Sequence, residues 1–273
     1  MALYTVFGGR GFIGSEIVTQ LNGLGHTVFI PNRADKRIFE QDLGCVIFCA
    51  GYGNCNDPFE VLEANVSLLA SVIKQSQFSR FVYISSTRVY MNQDYTCEKS
   101  NLTISTTDSR RLFNLTKLVS EELCLKSGRD ILILRPSNVY GLALNSPLFL
   151  PTITKNAIVN KEIDMFISKS YSKDYVSVFD LAQSCIKLTS LPDLRYRIYN
   201  IASGYNITAQ EISNVLIKKT KCKINWHSIS PNSDDYFPVT NINRIVEEIS
   251  FSPRNMLDDL ELLVDAFKTK LGE

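Results

Sequence analysis

Gly8-Gly9-Arg10-Gly11-Phe12-Ile13-Gly14 follows the strand-like run Leu3-Tyr4-Thr5-Val6-Phe7 and opens a stretch of helical spacing. Glycines in that pattern and context can cradle a pyrophosphate. Gly8 permits a tight turn, Gly11 lets the backbone approach the phosphates, and Gly14 lets the helix lie close on the strand. The helix opening at Phe12 and Ile13 presents unpaired N–H groups and its positive dipole end to the anion. The run predicts a dinucleotide site.

The end of the second strand, Ile30-Pro31-Asn32-Arg33, bears on which dinucleotide is held. An Asp or Glu there usually bonds both hydroxyls of an unphosphorylated ribose. This chain has neutral Asn32, then Arg33, with Lys36 and Arg37 close behind. Such a cluster attracts a 2′-phosphate, and no carboxylate is expected there to repel it. The expectation is NADP(H), with NAD(H) as the alternative and a solvated basic loop as the plain reading of the cations.

The elements that would carry these residues alternate. Strands are expected at Leu3–Phe7, Thr27–Ile30, Cys45–Cys49, Arg80–Ile84 and Ile131–Leu134, with helices at Ile13–Leu24, Asp57–Gln75 and Ser109–Lys126. That alternation predicts an α/β fold with a Rossmann-type, doubly wound parallel sheet. Only about 14 residues, Pro31–Gly44, separate the second strand from the third, so that crossover is expected to be trimmed to one helix or turn. After Gly141 the pattern changes, and a small α/β C-terminal substrate lobe is expected. The division is residues 1–145 for the dinucleotide-binding domain and 146–273 mainly for the lobe, with segments near 174–202 returning to the sheet.

The 273 residues carry 29 Lys+Arg against 28 Asp+Glu, a net charge of +1 that argues against a nucleic-acid binder. No apolar run approaches a membrane span, and the N-terminus enters a strand at once, leaving no room for a signal peptide. The seven cysteines include no CxxC, and Cys45, Cys49, Cys124 and Cys185 lie among apolar residues. Reduced core thiols in a cytoplasmic protein are expected. With His26 and His227 its two histidines, the sequence argues against a His-metal or His-triad site, and no metal is assigned.

Further segments resemble the extended short-chain dehydrogenase/reductase family, especially its nucleotide-sugar epimerases, dehydratases and reductases. Val46-Ile47-Phe48-Cys49-Ala50-Gly51 is similar to the strand whose end lies under the nicotinamide ribose, and Asn65-Val66 to the following helix. Ile84-Ser85-Ser86-Thr87-Arg88-Val89-Tyr90 resembles the strand bearing the catalytic Ser/Thr, which falls on Ser86. Leu134-Arg135-Pro136-Ser137-Asn138-Val139-Tyr140-Gly141 is similar to the segment beside the nicotinamide. Lys173-Asp174-Tyr175-Val176 and Tyr199-Asn200-Ile201-Ala202 resemble later segments. The resemblance implies cofactor contacts from Ala50, Gly51, Asn65, Ser85, Lys117, Pro136 and Val139, besides the glycine turn. It implies substrate contacts from Ser86, Thr87, Asn138 and Lys173, the last toward a sugar-nucleotide phosphate. A homodimer is the usual arrangement in similar proteins, here through apolar stripes on two helices (Leu62, Val66, Leu69; Leu115, Leu118, Val119, Leu123), most of which are expected in the core.

In that family a Tyr four residues before the Lys passes a proton to or from the sugar oxygen as hydride moves, and the Lys lowers the Tyr pKa. In this chain Lys117 and Ser86 remain, but Phe113 stands at the tyrosine position. Three readings stay open: a Tyr→Phe replacement in an otherwise intact enzyme, another acid (Tyr90, Tyr95, Tyr140 or a water on Ser86), or a silent dinucleotide-binding sensor or partner protein. Thr87-Arg88 stands where the family's dehydratases carry an acid pair, so water removal by that route is not expected. Reduction of a 4-keto nucleotide-linked sugar is expected first, and 4-epimerisation second. An arginine often found in the family near Pro231–Asp235 is absent.

Overall fold

The computed structural model describes residues 1–32, 34–227 and 236–273; Arg33 and Pro231–Asp235 lie outside them. Chain order begins β1 (Leu3–Phe7), α1 (Phe12–Gly23), β2 (Thr27–Phe29), α2 (Arg37–Glu40), β3 (Cys45–Phe48), α3 (Pro58–Leu62) and α4 (Leu68–Gln75). It continues with β4 (Arg80–Ile84), α5 (Arg111–Lys126), β5 (Ile131–Pro136), β6 (Asn138–Tyr140), α6 (Phe149–Val159), β7 (Glu162–Met165) and β8 (Ser172–Ser177). It ends with α7 (Val178–Thr189), β9 (Ile198–Ile201), β10 (Asn206–Thr208), α8 (Ala209–Thr220), β11 (Lys223–Trp226), α9 (Asn243–Ile249) and α10 (Met256–Leu271).

Six parallel strands form the main sheet in the order β2-β1-β3-β4-β5-β9. The chain leaves β1 toward β2 on one side and returns to β3 on the other. The crevice at that reversal is where parallel α/β sheets bind ligands, beyond the carboxyl ends of their strands. Among its described residues the trimmed crossover holds one four-residue helix, α2.

The alternation of strand side chains builds a core on each face. Tyr4, Val6, Cys45, Ile47, Val82, Ile84, Leu132 and Leu134 pack with Ile17 and Leu21 of α1 and Leu181, Cys185 and Ile186 of α7. Their neighbours Phe7, Val46, Phe48, Phe81, Tyr83, Ile131 and Ile133 pack on the other face with Ile38, Leu69, Val72 and Cys124. Burial on both faces is why these strands read as nearly continuous apolar runs. All seven cysteines are free thiols.

The C-terminal elements have their own core. Leu150, Ile153, Ile158, Ile163, Met165, Ile212, Leu216, Leu260, Val264 and Phe267 join α6, β7, α8 and α10. Two small sheets, β10-β8-β6 and β11-β7, complete this part, while β9 belongs to the main sheet. Trp226 packs as a half-buried member of that second core, as expected of a strand residue.

Helix α5 corrects the expected stripe. Its buried residues are Asn114, Thr116, Lys117, Ser120, Glu121 and Cys124, whereas Leu115, Val119 and Leu123 face outward. The inward face is polar because it carries the site and its supports. No helix among the described residues is long and apolar enough to cross a membrane.

Gly14 is the tightest contact in the turn: a Cβ there would lie 2.2 Å from the Gly8 carbonyl oxygen. Backbone cannot step aside as a side chain can, so Gly14→Ala is expected to lower stability by about 1–3 kcal/mol. A lower urea midpoint with an unchanged slope is the expected result.

Candidate active site

The glycine turn closes on itself as the pattern requires. Gly8 has φ +75°, and a Cβ on it would meet the Ala50 amide nitrogen at 2.8 Å. The Gly11 N–H donates to the Gly8 carbonyl at 2.9 Å, and Gly11 precedes α1 with no side-chain cap. A cavity of about 310 Å3 opens above, lined by Gly8, Arg10, Gly11, Pro31, Asn32, Ala50 and Gly51 among others. The cradle therefore fits a dinucleotide: side chains are excluded by contact, and the helix end faces open space.

At the ribose end of this cavity the charge pattern differs from the expectation. Asp35 pairs with Arg37 at 2.6 Å and also accepts from its backbone N–H, so a carboxylate is present and Arg37 is neutralised. Among the described residues, Arg10 is a cation beside Asn32, its guanidinium donating to Asn32 Oδ1 at 2.9 Å. Sequence reasoning passed over Arg10 because it sits between the glycines.

Lys117 is buried beneath the ends of β3 and β4. Its Nζ donates to the Ile84 carbonyl at 2.9 Å and lies 4.9 Å from the Tyr83 ring centre and 5.6 Å from that of Phe113. A Cβ on Gly51 would lie 3.7 Å from this nitrogen and 3.1 Å from Asn65 Oδ1, so Gly51, Asn65 and Lys117 do meet. Burial lowers the Lys117 pKa to about 8, against opposing pulls from Glu121 and then Cys49.

Two predicted cofactor contacts face inward. Asn65 is fully buried in a π turn, Glu63–Ser67, between α3 and α4. Its amide accepts from the Tyr52 N–H at 2.9 Å and donates to the Tyr52 carbonyl and Thr116 Oγ1, fixing the loop after β3. Ser85 Oγ donates to Glu121. Both residues shape the floor rather than line the cavity. Pro136 ends β5 buried, and Val139 is half-buried on β6 against the sheet core.

Ser86 is half-buried and starts a short 3-10 turn, Thr87–Tyr90, its Oγ accepting from the Arg88 N–H at 3.1 Å. Thr87 and Asn138 line a narrow cleft with Tyr90, Asp174, Phe237 and Thr240, of which only about 10 Å3 is open. Asn138 also donates to the Asp174 carbonyl, and Lys173 lies 4.6 Å from the Phe237 ring centre. Arg88 pairs with the buried Asp108 at 2.7 Å.

The alternative acids fare differently. Tyr90 is buried, accepts from Arg135 at 2.6 Å and donates to Asn200, and burial pushes its pKa up to about 12. Tyr140 is buried and donates to Asp259 at 2.8 Å; burial, then the Asp259 carboxylate, raise it further. Both hydroxyls are committed to structure. Tyr95 is exposed, in a separate open cavity of about 460 Å3 with Thr96, Gly204 and Asn241. Phe113 is half-buried on α5, with Lys117 and the Arg110 guanidinium, 4.8 Å away, around its ring.

Comparison with known proteins bears on this arrangement. The model of the NAD dependent epimerase/dehydratase family matches residues 4–202. The chain belongs to that family. A dTDP-4-dehydro-6-deoxy-D-allose reductase from Streptomyces sp is 21% identical over 94% of this chain and 93% of its own length. Among solved structures, MoeE5 in complex with UDP-glucose and NAD superposes with a TM-score of 0.85 at 18% identity, covering 98% of this chain and 99% of its own. A tyrosine-to-phenylalanine mutant of the UDP-glucuronic acid 4-epimerase of Bacillus cereus, with UDP-4-deoxy-4-fluoro-glucuronic acid and NAD, has a TM-score of 0.83 at 18% identity. It covers 98% of this chain and 99% of its own. The family resemblance and the parallel α/β fold read from the sequence therefore hold.

The Lys117 shift has a stability consequence. The unfolded chain keeps this proton to about 10.5, whereas the folded chain releases it near 8. Between those values the unfolded state binds more protons, so this group adds stability as pH rises. Lys117→Met removes the burial cost at pH 7 and should be more stable there than the parent. Raising the pH to about 9.5 should narrow that advantage by about 2 kcal/mol in urea titrations.

Proposed function

We propose that this chain uses NADP(H) to reduce the keto group of a 4-keto nucleotide-linked sugar. The observation that carries the reading is the convergence of the glycine cradle, Lys117 and Ser86 at the carboxyl ends of β1, β3 and β4. The cofactor, when bound, supplies the hydride. Ser86 is positioned to hydrogen-bond the reacting oxygen, and Lys117 to hold the nicotinamide ribose and furnish positive charge. Thr87 and Arg88 offer no carboxylate after Ser86, which disfavours dehydration. The long relative that reduces a dTDP-4-dehydro sugar supports reduction over epimerisation.

Arg10 beside Asn32 supports NADP(H), because it brings a cation to the cavity edge while the Asp35 carboxylate is taken up by Arg37. The solved neighbours that carry NAD make NAD(H) the competing choice. Lys173 is assigned to the substrate phosphates and Asn138 and Thr87 to the sugar. Phe113 favours one second reading, a silent dinucleotide-binding protein, since a phenyl ring carries no proton.

The test is reduction of 4-keto nucleotide sugars by the parent chain and Phe113→Tyr, with NADPH and NADH in parallel. Turnover with NADPH and at least about tenfold weaker NADH binding are expected, one charge-assisted contact being worth that much. Equal or tighter NADH binding sinks the NADP assignment. Tight dinucleotide binding with neither protein turning over supports the silent binder.

We also assign a homodimer to the outward face of α5. Leu115, Leu118, Val119 and Leu123 line an open apolar groove with Glu122 and Lys126, and Phe59 and Leu62 of α3 are exposed. Sedimentation at micromolar concentration should give twice the chain mass, and Val119→Glu should give one chain mass. A parent sedimenting as a monomer removes the assignment.

A further inference from the structure

Two elements bring the groups of the candidate site together, and both meet one buried carboxylate. β4 leads into the turn that starts at Ser86, and α5 carries Phe113 and Lys117. Asp108 lies just before α5, and its side chain is 2% exposed. Oδ1 accepts from the Arg88 guanidinium at 2.7 Å and from the Arg110 N–H at 2.8 Å, and Oδ2 accepts from the Asn114 amide at 2.9 Å. The Asp108 carbonyl takes the Arg111 N–H at 3.1 Å. One anion therefore holds both the first turn of α5 and the residue two places after Ser86.

Arg88 carries the tie onward. Its own N–H donates to Ser86 Oγ at 3.1 Å. Its guanidinium carbon lies 5.7 Å from the ring centre of Phe237, which lines the narrow cleft with Thr87. The Arg88 side chain is 11% exposed, so water and salt screen the pair little and its charge-assisted bonds keep their strength. Deeper in the fold, α5 is tied to β4 by Lys117 on the Ile84 carbonyl and by Glu121 on Ser85. Those bonds fix Lys117 and the strand as far as Ser85; the Asp108 bonds fix the turn beyond it.

We propose that Asp108 is a positioning residue: through Arg88 it sets where Ser86 stands relative to position 113 and Lys117. The inference rests on the reductase reading above, in which Ser86 bonds the reacting oxygen. That bond serves the reaction only when the oxygen, the hydride donor and Lys117 are in register, and a displacement of about 1 Å costs about 100-fold in rate. The buried anion also sets the sign of the charge after Ser86. A carboxylate at position 88 would stand against Asp108, and two like charges out of water favour protonation of one of them. The brace therefore admits a cation at position 88 and works against an ionised acid there.

The experiment has one readout that needs no substrate. Asp108→Asn keeps the shape of the side chain and removes its charge. Arg88→Met combined with Asp108→Asn leaves no lone charge in the pair, and stands in should the single variant fail to fold. In hydrogen exchange the Arg88 and Asn114 amides should exchange at least about tenfold faster in the variant than in the parent, the scale of one charge-assisted hydrogen bond. The amides of Val82 in β4 and Glu121 in α5 should keep their rates within about twofold. Equal acceleration of all four marks a contribution to overall stability alone and overturns the proposal, as does an unchanged rate at Arg88. The turnover readout uses whichever of the parent and Phe113→Tyr reduces a 4-keto nucleotide sugar. There Asp108→Asn should lower kcat by about 100-fold with dinucleotide affinity within about twofold, because the glycine cradle and Lys117 keep their own contacts. Asp108→Glu, which restores the charge, should recover part of the loss. Full kcat in Asp108→Asn overturns the proposal and leaves the reductase reading standing. If the dinucleotide binds and neither background turns over, the reductase reading fails, and the role assigned to Asp108 falls with it.

Discussion

One buried carboxylate holds the floor of the site together. Glu121 takes the Arg135 guanidinium at 2.9 Å through Nε and again through Nη, and accepts from Ser85 Oγ. One helical turn before it sits Lys117, whose charge it supports. Glu121, Arg135 and Lys117 are each under a tenth exposed. Charges removed from water cost several kcal/mol apiece unless each finds a partner. Here α5 brings one anion to two cations at the ends of β4 and β5. The inward polar face of that helix follows from this requirement, and so does the outward turn of its leucines.

The same network reaches beyond the dinucleotide side. Arg135 passes a hydrogen bond to Tyr90, Tyr90 to Asn200, and Asn200 binds the Thr96 and Asn241 carbonyls. Glu98 accepts from the Asn200 N–H and lies 3.4 Å from Arg244. Thr96 also donates to the Val239 carbonyl. The segment that follows Ser86 is thereby tied to the late residues that border the narrow cleft beside Thr87 and Asn138. Satisfied buried networks of this kind fix one arrangement, because any displaced member leaves a polar group unpaired in a low dielectric.

The legible part of the fold and site was the part written in local pattern. A glycine at position 8, 11 or 14 has a local steric meaning, and the paired cores follow from period-two alternation in strands buried on both faces. Which side of α5 faces inward was not legible, since the helix buries Asn114, Thr116 and Glu121 for partners far away in sequence. Asn65 and Ser85 carry a motif signal, but their inward direction depends on Tyr52, Thr116 and Glu121. How the basic residues after the second strand pair was not legible for the same reason. Arg37 meets its own neighbour Asp35, and Arg10 reaches across to Asn32 from inside the glycine turn. Arg110 carried no motif at all.

Phe113 can be weighed against this framework. Cations beside a tyrosine hold its phenol near the pH at which a proton can move. Beside a phenylalanine the same cations meet only the ring's quadrupole, an attraction that stabilises their placement without titrating. The geometry around Phe113 is thus self-consistent: Lys117 keeps its carbonyl partner, and Arg110 has a flat face to lie on. Tyr90 and Tyr140, which the motifs suggested as acids, instead donate their hydroxyls to Asn200 and Asp259. The described cations that border the Phe113 ring are Arg110 at 4.8 Å and Lys117 at 5.6 Å. Lys117, held at the Ile84 carbonyl, and Arg110 thus border a ring with no hydroxyl of its own, and their charges meet its π face rather than a titrating group.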